Sequence, residues 1–497
     1  MRGVGPASGL LLLALLAPPR LHAAPSFSMV STFPSTSPVF NGAIQASTPT
    51  PYPLRVYYVA ESSYVLSATT IDGSSFTAEE GVRLSSATSP QLGVSISSIT
   101  GVTVLPMPTS GYFMLYSVIA DSHGALDYQI DSATSSDGLN WANTSATAAV
   151  VDGGSSYLAS PNLVELSDGE WRLYYIRAGS VVGNGAIYTS SVTSPGQKPI
   201  FGEPAVALNV NASQVAASTR TDGLVRLYYA TPVSGSADTE IASALSMDAN
   251  GTFFTAEPGV RASTSSFSGT LAWPFVMRST NSYEWRLYYD YLPSGKLPPQ
   301  EFTALSVAPA PAAINPDSAY NTESAATFTI GGDVFSPGVT AQLSNGTNTL
   351  HDTAINYVND VDFAATFDLQ GAAVGSWNLI VTNADGNSAT LYNALHVTFP
   401  PGYVTLKDNL LKPAQGGATT ISVTIFNPGN IVVKIYTLIG MHEVATVFDG
   451  YESSSGTYPF TWNGTTSRGD MVASGVYIAR VIGPKLDSLN NKIVVIK

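Results

Sequence analysis

Six acidic residues in the first 308 positions are candidates for proton chemistry: Glu61, Asp121, Asp127, Glu165, Asp290 and Glu301. Acid–base cleavage needs two such groups at one place, one protonated and one ionised, in environments that drive their pKa values apart. Glu165 sits late in an apolar run, Leu158-Ala-Ser-Pro-Asn-Leu-Val-Glu-Leu166. The other five fall in segments read as loops, where a solvated carboxylate is the ordinary state. Nothing in the sequence aims them at a common point. Metal chemistry finds less support. The histidines at 22, 123, 351, 396 and 442 never pair at ligand spacing, and the chain has no cysteine for a thiolate site or a disulfide. Asp121, Asp127 and Asp131 crowd one region without the spacing of an EF-hand loop. No nucleophile elbow, phosphate loop or dinucleotide fingerprint stands in usable context, so no cofactor is expected.

Positioning elements are easier to read. The tetrapeptides Arg55-Val-Tyr-Tyr58, Phe113-Met-Leu-Tyr116, Arg172-Leu-Tyr-Tyr175, Arg226-Leu-Tyr-Tyr229 and Arg286-Leu-Tyr-Tyr289 recur at intervals of 58, 59, 54 and 60 residues. Each lies between an apolar strand and a third strand, and Asp-Gly turns punctuate the repeats, as at Asp72-Gly73, Asp168-Gly169 and Asp222-Gly223. A second element, Phe76-Thr-Ala-Glu-Glu-Gly-Val-Arg-Leu-Ser85, is nearly repeated at Phe254-Thr-Ala-Glu-Pro-Gly-Val-Arg-Ala-Ser263. Short strands at such a period predict a β-propeller of five blades, near 39–85, 98–150, 157–210, 214–263 and 270–308. In the Arg-Leu-Tyr-Tyr strands alternation puts the arginine and first tyrosine on one face, the leucine and second tyrosine on the other, packed between blades. The last blade lacks a fourth strand, which residues 26–33 are expected to supply, closing the ring and removing a free edge.

Composition agrees with an all-β extracellular chain. Charged residues make up 11% and hydrophobic residues 44%, and the net charge is −14. No basic run offers a footprint for nucleic acid or an anionic membrane. Arg2, the apolar stretch Gly9 to Ala17 and the small residues of Leu21-His-Ala-Ala24 read as a signal peptide over 1–24, cleaved after Ala23 and too short to span a bilayer. The expected location is secreted or at a bacterial cell surface.

The tetrapeptides and the Ser-x-Asp-Gly-x-x-Trp/Phe turns make residues 39–308 resemble the five-bladed propellers of arabinanase, xylosidase and fructosidase type glycoside hydrolases. The turns also resemble the Asp-box of sialidases, a hairpin device remote from chemistry. The glycosidase resemblance implies acids on the first, channel-lining strands of the first three blades. Here those strands, 39–45, 96–104 and 158–166, hold only Glu165, a weak candidate. What they and their counterparts in blades four and five place at the channel mouth is Asn41, Ser98, Thr100, Ser160, Asn162, Ser218 and Trp273. Hydroxyls and amides beside an aromatic ring bind sugars by hydrogen bonds and stacking.

Residues 309–313 read as a Pro/Ala linker. Beyond it, Ile314-Asn-Pro-Asp-Ser318, Thr327-Phe-Thr-Ile-Gly-Gly-Asp-Val-Phe335 and Trp377-Asn-Leu-Ile-Val-Thr-Asn-Ala-Asp-Gly386 resemble an IPT/TIG immunoglobulin-like domain over 314–398. From 403 to 497, Ile431-Val-Val-Lys-Ile-Tyr436, Trp462-Asn-Gly464, Ala473-Ser-Gly-Val-Tyr477 and Lys492-Ile-Val-Val-Ile-Lys497 resemble the C-terminal Ig-like domain of the flagellar hook-capping protein and type IX sorting domains. That resemblance implies sorting or attachment through export machinery; a terminal spacer is the alternative. Three functions follow. The first is a non-catalytic exported protein binding a polysaccharide or surface protein. The second is a glycoside hydrolase using loop carboxylates, and the third a structural surface-layer component.

Overall fold

The computed structural model describes residues 25, 27–33, 39–45, 54–86, 95–107, 110–122, 125–143, 150–151, 156–179, 183–193, 200–263, 269–278, 283–293 and 300–497. The proposed signal peptide and His123 lie outside them. The described chain is all-β apart from one short 3-10 turn, Pro413–Gln415.

Five antiparallel sheets follow one another from residue 39 to 306. Their first strands are Val39–Gln45, Ser95–Pro106, Leu158–Glu165, Gln214–Thr219 and Gly269–Arg278. The tetrapeptides lie in the second strands. Ser28–Phe33 pairs with Gln300–Ser306 and completes the fifth sheet, so the ring is closed by the N-terminal strand as expected. Both faces of every second strand are covered, because each blade is sandwiched between two others. Val56 and Tyr58 pack with Phe275 and Tyr288 of blade 5, while Tyr57 packs with Ile99 and Val104 of blade 2.

The first strands run parallel round the channel. Blade 3 hydrogen-bonds to blade 4 in register, Ser160 with Val215, Asn162 with Ala217 and Glu165 with Thr219. Their N-terminal ends therefore open on one face of the propeller and their turns on the other. Four of the five carry β-bulges in the N-terminal half, at Asn41, at Ser97 and Thr100, at Ser160-Pro161 and at Trp273-Pro274. Gly101 lets blade 2 pass close to the third bulge, since a Cβ there would meet the Pro161 ring at 3.1 Å.

Two β-sandwich domains follow. In the first, eight strands from Ala310 to Thr398 enclose Phe328, Phe335, Phe363, Trp377 and Leu379. The segment read as a linker is strand for most of its length: Ala310–Asn315 pairs with Ala326–Asp333, and the register slips between Pro311 and Ala313. Proline removes one ladder donor, and the bulge at an edge strand absorbs that loss. In the second domain, sheets of three and five strands close over Ile421, Val433, Trp462 and Ile493.

Candidate ligand site at the mouth of the propeller channel

Three of the six polar residues expected at the mouth are bound into the framework. Ser160 is buried; its Oγ accepts from the Val215 amide at 3.0 Å and donates to the Val215 carbonyl at 3.2 Å. Asn162 is also buried, with Oδ1 accepting from the Ala217 amide at 2.9 Å. Thr100 Oγ1 lies 2.8 Å from Ser117 Oγ inside its own blade. Ser218 stands opposite Arg226 in register, next to the turn at the far end of its strand, so it does not belong to the mouth. A polar residue in a first strand can serve a ligand or the backbone of the next blade, and the parallel neighbour strand claims the side chains of Ser160 and Asn162. Ser98 is half-buried beside a bulge, and Asn41 is itself the bulged residue of blade 1.

Trp273 differs. It occupies a bulge with φ +52° and precedes Pro274, a combination disfavoured twice, by its Cβ and by the proline ring. Ser160 has the same φ and also precedes a proline, but its hydroxyl is consumed by blade 4. The Trp273 ring is half-buried and makes no hydrogen bond or ring contact among the described residues. Bulges of this kind re-aim a side chain, and strained backbone concentrates at ligand sites.

Beside it stands Asp290, which was expected in a solvated loop. It lies instead within the strand Trp285–Pro293, paired with Ala272 on one side and Glu301 on the other. It shares a face with Tyr288 and so points towards blade 1. Burial pushes its carboxyl up to about 7. The residue sits where alternation places a hydrophobe in blades 1, 3 and 4, namely Val59, Ile176 and Ala230. An acid directly after the tetrapeptide was the available sequence signal.

Glu165 is far from this pair. It is exposed at the last position of its strand, roughly 16 Å along from Ser160. With Thr103, Asn162, Thr219 and Met277 it lines a cavity of about 230 Å³ towards the turn end of the channel. Glu61 is in an exposed turn. Asp121, Asp127 and Asp131 are in two paired strands, not in a calcium-binding loop. Asp131 is buried inside blade 2, and burial drives its carboxyl up to about 7. Among the described residues no group of three histidines or acids is placed to hold a metal ion, and no helix is long and apolar enough to cross a membrane.

No family model and no curated protein sequence matches the chain. Solved structures similar to it include a thermostable family-43 glycoside hydrolase, with 14% identity, 55% of this chain and 91% of that chain covered, and a TM-score of 0.41. An endo-arabinase from Bacteroides thetaiotaomicron VPI-5482 gives 13%, 57%, 96% and 0.41. An endo-arabinanase from Bacillus licheniformis gives 13%, 55%, 94% and 0.39.

Proposed function

We propose that the propeller binds an extracellular glycan at the N-terminal end of its first strands, without cleaving it, in a protein exported by its leader and sorted or attached by its last domain. The observation that carries this reading is Trp273: a half-buried indole held on a strained bulge without a ring partner among the described residues, on a strand whose paired neighbour carries Asp290, a carboxyl that burial favours as a hydrogen-bond donor. A flat apolar face next to a donor is what a pyranose or furanose ring requires. The first strands contain a single acid, Glu165, and it stands at the other end of the channel. A hydrolase is the second reading, favoured by Asp290, whose raised pKa suits a general acid.

Passing the full chain over an immobilised polysaccharide panel, while recording retained protein and released sugar, separates the two. Retention without release, lost in Trp273→Ala, is the expected result. Sugar release that disappears in Asp290→Asn would replace binding with catalysis. Equal retention of Trp273→Ala would remove the site.

A further inference from the structure

One hydrogen bond is repeated between blades. The first tyrosine of the tetrapeptide reaches the turn glycine of the next blade: Tyr57 to the Gly138 carbonyl at 2.7 Å, Tyr174 to Gly251 at 2.6 Å and Tyr288 to Gly73 at 2.7 Å. Blade 1 adds two arginines. Arg55 clasps Glu79 with both prongs at 2.7 and 3.0 Å and donates to the Asp137 carbonyl of the blade 2 turn at 3.1 Å. Arg83 donates to Leu139 of the same turn at 3.1 Å.

Blade 4 builds the same latch from the second copy of the Phe-Thr-Ala-Glu element. Arg226 clasps Glu257 at 2.9 Å through both prongs, and Ser243 donates to Glu257 as Ser67 does to Glu79. Its outward half has no blade turn to hold. Blade 5 is completed by the N-terminal strand, so no hairpin leaves its third strand. Two other groups fill the vacant positions. The Pro25 carbonyl accepts from Arg261 at 2.9 Å, where Leu139 accepts from Arg83. The Asp333 carboxylate, from the first sandwich domain, accepts from Arg226 at 2.5 Å, where the Asp137 carbonyl accepts from Arg55.

Further contacts surround this one. Arg220 also binds Asp333, and Thr221 and Arg278 both bind Asp360 of the sandwich. The Arg220, Arg226 and Asp333 side chains are essentially sealed from water. Val334, β-branched yet at φ +58°, is buried in the propeller cluster of Tyr228, Leu287 and Trp285, while the adjacent Phe335 is buried in the sandwich core. Successive residues in two hydrophobic cores, held in a strained conformation, couple the two cores mechanically.

We infer that the segment Asp333-Val334-Phe335 at the end of a strand of the first sandwich replaces the missing turn of blade 5, so that closure of the propeller ring and docking of the sandwich are one event. The sandwich is thus part of the ring wall and not a projecting spacer.

The test uses the full chain with a protease recognition sequence inserted after Ala308. After cleavage under native conditions the two fragments are expected to co-elute on size exclusion. Cleaved Asp333→Ala should separate, its fragment affinity weakened by roughly two to three orders of magnitude, because two arginines lose their shared carboxylate. Thr221→Val, which removes one hydrogen bond to Asp360, supplies a milder variant, with association weaker by about tenfold. Hydrogen exchange in Ser28–Phe33 should rise in step with separation. Separation of the cleaved wild-type chain into a propeller whose closing strand stays fully protected would overturn the inference. So would unchanged fragment association in both variants.

Discussion

Blades 1 and 4 contain nearly the same ten-residue element and the same arginine in the same tetrapeptide, yet they latch onto different things. Arg55 reaches a neutral backbone carbonyl of the next blade, and its pair with Glu79 keeps some contact with water, with side chains 10% and 19% exposed. Arg226 reaches a carboxylate from another domain, and its side chain, Glu257 and Asp333 are exposed by 1%, 4% and 0%. The difference follows from what each latch must hold. A blade-to-blade contact is backed by a continuous apolar interface and needs only a hydrogen bond to fix its register. At the seam an arginine would point at empty turn space, and a buried cation needs a compensating anion. The sandwich brings one in.

The largest effect expected from this comparison is on stability. Arg226→Met leaves Glu257 and Asp333 buried with reduced compensation and should cost about 3–5 kcal/mol in denaturant unfolding of the full chain. Arg55→Met should cost about 1.5–3 kcal/mol, the range for hydrogen bonds to a charged partner. Equal costs would mean that burial of the seam does not set its strength.

Acid should open the seam before the mouth. Burial raises the Asp333 carboxyl, but Arg220 and Arg226 outweigh it and hold the group below the ordinary aspartate value. Its stabilisation is complete above the unfolded value near 4 and is lost as pH falls through the lower folded value. Asp290 works in the opposite sense. Its folded value of about 7 lies above the unfolded one, so the folded state retains a proton that the unfolded state has released. Stability should therefore decline as pH rises from about 4 to about 7. Asp290→Asn should flatten that decline in part, leaving the share of Asp131, which is also raised to about 7. Melting temperature against pH for the two chains reads this directly.

The propeller was legible because its signals are local and repeated. The tetrapeptide marks every second strand, and the shortage of strands after Arg286 pointed to residues 26–33 for closure. The seam was not legible, since Arg226 and Asp333 are 107 residues apart and nothing near either names the other. The Pro/Ala segment misled for a physical reason: proline at an edge-strand bulge looks in sequence like proline in a linker. Ser160 and Asn162 were placed correctly on their strand, but the sequence does not reveal whether an amide or hydroxyl there faces a ligand or the neighbouring backbone. Asp290 reads in sequence as a loop acid but lies in a strand, and its departure from alternation directly after the tetrapeptide is the feature that marks it.

The finest contrast between the latches is a single hydroxyl. Tyr57 donates to the Gly138 carbonyl, which also accepts from Trp141 Nε1 at 3.1 Å. Tyr57→Phe therefore removes one good hydrogen bond without orphaning the acceptor, and should cost about 0.5–1.5 kcal/mol. Tyr228 is its counterpart in blade 4, where no turn glycine exists to receive it. Its hydroxyl is buried beside the Arg226 guanidinium and makes no well-formed hydrogen bond among the described residues. The ring packs against Phe27 at 6.0 Å and beside Val334, contacts that phenylalanine would keep. Tyr228→Phe thus removes a desolvated polar atom, and should leave stability unchanged or raise it by about 1 kcal/mol. Paired urea titrations of the two variants give the sign. A loss at Tyr228 matching that at Tyr57 would show that the seam holds a receiving carbonyl after all, and that the sandwich reproduces more of the missing turn than its carboxylate.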